Sequence, residues 1–87
     1  MYSIVYDKKA VKDITKLKAA KLDSKAKTLI DLMRKNPFQS PPPYEKLQGD
    51  LQGAYSRRIN IKHRLVYQVI EEQYTVKIIG MWTHYEF

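Results

Sequence analysis

The apolar residues of this 87-residue chain change their period once, and a proline-rich stretch marks the change. Before it, Val11, Ile14 and Leu17 recur at threes, and Ala26, Leu29, Ile30 and Met33 keep the i, i+3, i+4, i+7 spacing of one helix face. After it, apolar residues alternate, as in "YSRRINIKHRLVY", residues 55–67, which is the spacing of a pleated strand. The spacing predicts one helix over residues 8–20 and a second capped by Asp23 or Ser24. The second ends at Asn36-Pro37, because a residue before proline is pushed out of the α region. "YSIVY" predicts a short strand ahead of the helices, and residues 54–61, 64–70 and 74–83 predict three more, with "EKL" as a further short piece. The expected fold class is α+β: two N-terminal helices packed on a small, mostly antiparallel sheet of four to five strands. The length suits a single domain over residues 1–87.

Between the two halves runs "NPFQSPPPYEKLQGDLQG", residues 36–53. Pro41, Pro42 and Pro43 predict an extended polyproline strap that fixes where Tyr44 and Glu45 lie. Gly49 and Gly53 mark turns around the short strand piece "EKL".

Composition narrows the function classes. The net charge is +7, and residues 8–35 account for all of it, with ten Lys and Arg against three Asp. Such a field favours polyanions, either nucleic acid or an acidic protein partner. The chain has no cysteine, which removes disulfides and thiolate metal sites, and two histidines without an acidic cluster make a poor metal site. No window approaches the roughly 20 apolar residues of a membrane span. The N-terminus lacks the order of a signal peptide, so a cytoplasmic location is expected.

The hairpin within residues 55–67 concentrates cations. Ile59 and Ile61 would point one way, and Ser56, Arg58 and Asn60 the other. If Leu65, Tyr67 and Val69 join the isoleucines in the core, the turn holds an odd number of residues. A three-residue loop of Lys62, His63 and Arg64 satisfies that parity and leaves Arg64 on the side of Arg58. A two-residue loop would group Arg64 with Arg57 instead. Arg57 reads as a structural ion-pair partner for Glu71 or Glu72, and His63 as an exposed turn histidine. Arg58 can present a planar fork to a phosphate. "MWTHYEF" adds His84 and Tyr85 after a strand of the same sheet, and Glu45 is the nearest upstream carboxylate. One carboxylate, two arginines and one histidine suffice for RNA cleavage without a metal or other cofactor. A base takes the proton of a ribose 2′-OH, arginines stabilise the crowded phosphate, and an acid protonates the leaving 5′-oxygen. No glycine-rich phosphate loop or nucleophile elbow competes with this reading.

"YEKLQGDLQGAYSRRINIKHRLVYQV", running on to "WTHY", resembles the YoeB/Txe-type toxins of the RelE/ParE superfamily. The resemblance implies a RelE-like fold and a toxin of a type II toxin–antitoxin pair that cuts messenger RNA in the ribosomal A site. It implies two partners, a cognate antitoxin and the ribosome with its message; a homodimer stays open. By position, Glu45 resembles the family's general base, Arg64 its transition-state arginine and His84 its general acid. Arg58 matches a phosphate-binding arginine and Tyr85 the aromatic that stacks on or orients a base. The family's lysine after "PExL" is Gln48 here, so one phosphate contact is either weaker or supplied by Lys46. Ile61-Lys62 replaces an acidic pair, and Glu86-Phe87 extends past the usual terminal tyrosine. Two other readings remain: a ParE-like toxin with another target, and a basic module that binds RNA or an antitoxin without catalysis.

Overall fold

The structure, a computed structural model, describes residues 1–83. The chain opens with β1 (Ser3–Tyr6), then α1 (Lys8–Ala19) and α2 (Asp23–Lys35). After the connector come β2 (Glu45–Lys46), β3 (Tyr55–Arg58), β4 (Arg64–Ile70) and β5 (Thr75–Thr83). One sheet holds all five strands in the order β1-β5-β4-β3-β2. Its pairs are antiparallel except β1 with β5, which is parallel. The helices supply the crossover that a parallel pair of strands requires.

Asp7 caps α1 by accepting from the Lys8 amide, and Lys16 and Lys18 occupy its last turn, where cations suit the helix dipole. The chain then reverses at Lys21, whose φ is +60°, and the Leu22 amide donates back to Leu17. The second helix differs from expectation at its start: Leu22 is its N-cap, with no side-chain cap bond, and Asp23 lies in its first turn. Asp23 therefore acts there through charge at the dipole's positive end rather than as a cap. The face of α1 also differs. Ala10, Asp13 and Leu17 are its buried residues, and Val11 is 54% exposed. The helix is rotated so that a carboxylate, not a valine, meets the sheet.

One sheet face receives both helices. Leu17, Leu29, Ile30 and Met33 pack there against Leu65, Tyr67, Val76, Ile78 and Met81. Burying a side chain of this size contributes about 1.5–3 kcal/mol, so this layer supplies most of the fold's stability. A smaller cluster of Leu47, Ala54 and Val66, with Leu51 and Ile79 against it, covers part of the opposite face. The rest of that outer face carries the polar side chains described next.

The connector is not a regular polyproline helix: the Ser40-Pro41 and Pro41-Pro42 bonds are cis. Its carbonyls turn inward to a single side chain, which a straight strap could not do. Arg57 is 1% exposed, and its Nη1 donates to the Pro42 carbonyl at 2.6 Å. Its Nη2 donates to the carbonyls of Pro37 at 2.9 Å and Gln39 at 2.8 Å. Its Nε donates to the Tyr67 hydroxyl at 3.1 Å, and the guanidinium lies 5.0 Å from the Tyr44 ring centre. Arg57 thus bonds to backbone carbonyls, which carry no formal charge, and not to Glu71 or Glu72. Those two glutamates lie in the tight turn between β4 and β5.

Candidate active site

Cross-strand register assembles the outer face of the hairpin. Ser56 lies opposite Val66, Arg57 opposite Leu65 and Arg58 opposite Arg64. Alternation then sends Arg57, Leu65 and Tyr67 toward the helices, and Ser56, Arg58 and Arg64 to the other side. The parity expected from the sequence holds, with a different loop: five residues, 59–63, separate the paired arginines. The Asn60 side chain shapes this loop by accepting from the amides of Lys62 and His63 at 2.9 and 2.7 Å. That Asx-type turn takes the chain out of the strand early. Ile59 is buried, whereas Ile61 is 88% exposed rather than in the core. His63 is not an exposed turn residue, for its ring stacks on Trp82 at 3.9 Å and it is 7% exposed.

β2 adds the carboxylate. Glu45 pairs with Ser56 in the ladder, so its side chain joins the same face. Pro43, Glu45, Ser56, Arg58 and Arg64 line a cleft of about 160 Å³. Within it, Arg64 Nη1 lies 3.4 Å from Glu45 Oε2 and 3.3 Å from Ser56 Oγ. Arg64 is 9% exposed and Arg58 is exposed, so one guanidinium is anchored and the other is presented. Two arginines directly opposite repel each other, which destabilises the sheet locally. Glu45 offsets part of that repulsion, but a half-exposed pair contributes only about 0–1 kcal/mol. The guanidiniums of Arg58 and Arg64 can both donate to a phosphate that enters the cleft.

Lys46, next along β2, takes the opposite side and lines a separate hollow of about 550 Å³ with Gln48, Gln52 and Tyr55. That hollow is larger, but neither an arginine nor a carboxylate lines it. Lys46 is therefore apart from Glu45, Arg58 and Arg64. His84 and Tyr85 lie outside the described residues. The described chain approaches them at Thr83, whose backbone stands opposite Arg64. Among the described residues no cluster of three or more His, Asp or Glu could hold a metal ion.

Two residues that organise the site have no functional reading in the sequence. Arg57 ties down the connector through Pro42, next to Pro43 in the cleft wall. The signal was present in the doublet Arg57-Arg58, since neighbours in a strand must face opposite ways. The second is Asp13, which is 2% exposed and whose Oδ2 accepts from the amides of Met81 at 2.9 Å and Trp82 at 3.2 Å. In the sequence it is one acid in a lysine-rich helix.

Comparison with known proteins shows the family and the fold. Residues 5–85 match the family described as YoeB-like toxin of bacterial type II toxin–antitoxin system. A curated relative, Toxin YoeB of Mycobacterium bovis, is 36% identical over 78 residues, spanning 87% of this chain and 92% of its own. Among solved structures, the YoeB/ParE toxin from Agrobacterium tumefaciens is 29% identical with a TM-score of 0.85, covering 95% of this chain and 99% of the other. A chain of the heterotetrameric YoeB–YefM toxin–antitoxin complex from Staphylococcus aureus is 32% identical with a TM-score of 0.80, covering 98% and 99%.

Proposed function

Because this chain belongs to the YoeB-like toxins of bacterial type II toxin–antitoxin systems, we propose that it is a ribosome-dependent endonuclease that cuts messenger RNA in the A site. The observation that carries the reading is the convergence of Glu45, Arg58 and Arg64 on one cleft. Glu45 takes the proton of a ribose 2′-OH, and the oxygen attacks the adjoining phosphorus. Arg64, held by Glu45 and Ser56, stabilises the charge that accumulates on the phosphate oxygens. Arg58, exposed at the rim, fixes the substrate phosphate. His84 donates the proton to the leaving 5′-oxygen, and Tyr85 stacks on a base. The products are a 2′,3′-cyclic phosphate and a free 5′-hydroxyl, so the step is a transesterification that needs no metal. Lys46, on the other side of β2, contacts phosphate away from the cleft.

The ribosome supplies what an isolated cleft of this size lacks, a message held in one conformation. The partner in the cell is an antitoxin, as YefM is for the Staphylococcus aureus protein. Its acidic character would complement the charge of residues 8–35. Expression in a host without that antitoxin tests the reading. The wild-type protein arrests growth and the Glu45→Ala variant does not, although both fold. Equal arrest by the two would overturn the catalytic assignment and favour inhibition by binding alone.

A further inference from the structure

The C-terminal strand does not run true against its neighbour. Tyr67 to Ile70 of β4 face Ile78 to Thr75 of β5 in an unbroken register. Val66 then faces Gly80, and Arg64 faces Thr83. Continued without interruption, the register would set Met81 against Arg64, so β5 has taken in two extra residues. Ile79 belongs to the outer cluster and Met81 to the inner core, although residues two apart in a regular strand share a face. At a rise of about 3.3 Å per residue, the insertion draws the end of the strand back by roughly 7 Å relative to Arg64.

Asp13 occupies the point of irregularity. Successive amides of a regular strand point toward opposite edges, and both reach one oxygen only where the strand is bulged. Oδ2 of Asp13 accepts from both Met81 and Trp82 and lies 3.5 Å from Lys9 Nζ, whose side chain is 61% exposed. A carboxylate buried to this extent is costly unless hydrogen-bonded, and these two amides supply the bonds. In return it satisfies amides displaced from the ladder.

We infer that Asp13 is a positioning residue for the cleft: it holds β5 in the bulged register that sets Thr83, rather than Met81, level with Arg64. It thereby fixes the point beside Arg64 at which the described part of β5 ends. This rests on the function proposed above for its consequence, but not for its geometry. It also explains why a lysine-rich helix turns an acid toward the sheet.

Asp13→Ala and Asp13→Asn separate positioning from mere support. Asparagine keeps an oxygen that can accept both amides, whereas alanine keeps none. With saturating programmed ribosomes, Asp13→Ala lowers the single-turnover cutting rate by about 10²-fold, the scale of a 1 Å misplacement, without changing ribosome affinity. Asp13→Asn restores most of the rate. By NMR, Asp13→Ala loses exchange protection at Met81 and Trp82, and the Arg64–Thr83 backbone pairing moves toward Arg64–Met81. A loss that follows only the folded fraction, or an unchanged Arg64–Thr83 pairing, would overturn the inference. Should the alanine variant fail to fold, Asp13→Ser, too short to reach both amides, takes its place with the same readouts. If wild type does not cut message, the proposed function falls, and the NMR register still decides the role of Asp13.

Discussion

Removing the guanidinium of Arg57 would take its donors from the carbonyls of Pro37, Gln39 and Pro42 and from the Tyr67 hydroxyl, leaving the bond from Tyr67 to Pro37 in place. Arg57→Ala should destabilise the fold by about 3 kcal/mol, read from urea midpoints, because it removes several hydrogen bonds from a charged group, each contributing about 1.5–3 kcal/mol before solvent takes over at the partly exposed carbonyls. Arg57→Lys should recover little of it, because one ammonium cannot reach the same acceptors in their fixed directions. Its neighbour Arg58 is exposed and should behave in the opposite way, with Arg58→Ala near neutral in stability and weaker in RNA binding. Burial raises the Tyr67 phenol above its ordinary value of 10.0, with the charge of Arg57 pulling it back down. Because the folded value is the higher one, the unfolded phenol ionises first as pH rises. Its contribution is complete below about pH 10 and is lost as pH climbs through the folded value. The stability gap between wild type and Tyr67→Phe should thus stay constant at lower pH and shrink only as pH rises past about 10, and a gap unchanged above that point would contradict this.

At the level of helices and strands, the sequence was legible wherever hydrophobic period alone decided the outcome. Both helices, the strand over residues 64–70 and the shared side of Arg58 and Arg64 follow from alternation and spacing. Features that depend on irregular backbone were not legible. The carbonyls that fix Arg57 come from a folded connector, so an ordinary strand arginine looked like an ion-pair partner. Ile61 looked like core because nothing in its spacing reveals that the Asn60 side chain ends the strand two residues earlier. Asp13 was hidden for a related reason, since a bulge in β5 leaves no trace in α1. The helices themselves carry a further expectation. Lys12, Lys16 and Lys25 are exposed on them, and if they meet ribosomal RNA, binding should weaken steeply with salt. Replacing the three by glutamine should then flatten the logarithmic salt slope by about 1 for each phosphate that is no longer neutralised. An unchanged slope would leave them as solubilising residues.

Across the whole molecule the two sheet faces divide the work. The inner face, packed on the helices, supplies stability, and the outer face, short of apolar cover, gathers the charges of the cleft. Family membership accounts for the fold and the toxin class, while the cleft accounts for the chemistry proposed. The most direct test of that chemistry is a cell-free translation reaction with purified protein, in which message ends are mapped by primer extension with and without ribosomes. Wild type and His84→Ala are compared side by side. Cuts are expected in translated message only, at positions set by the A site, and none with the variant. Blocked translation with intact message, or equal cutting by the variant, would contradict it.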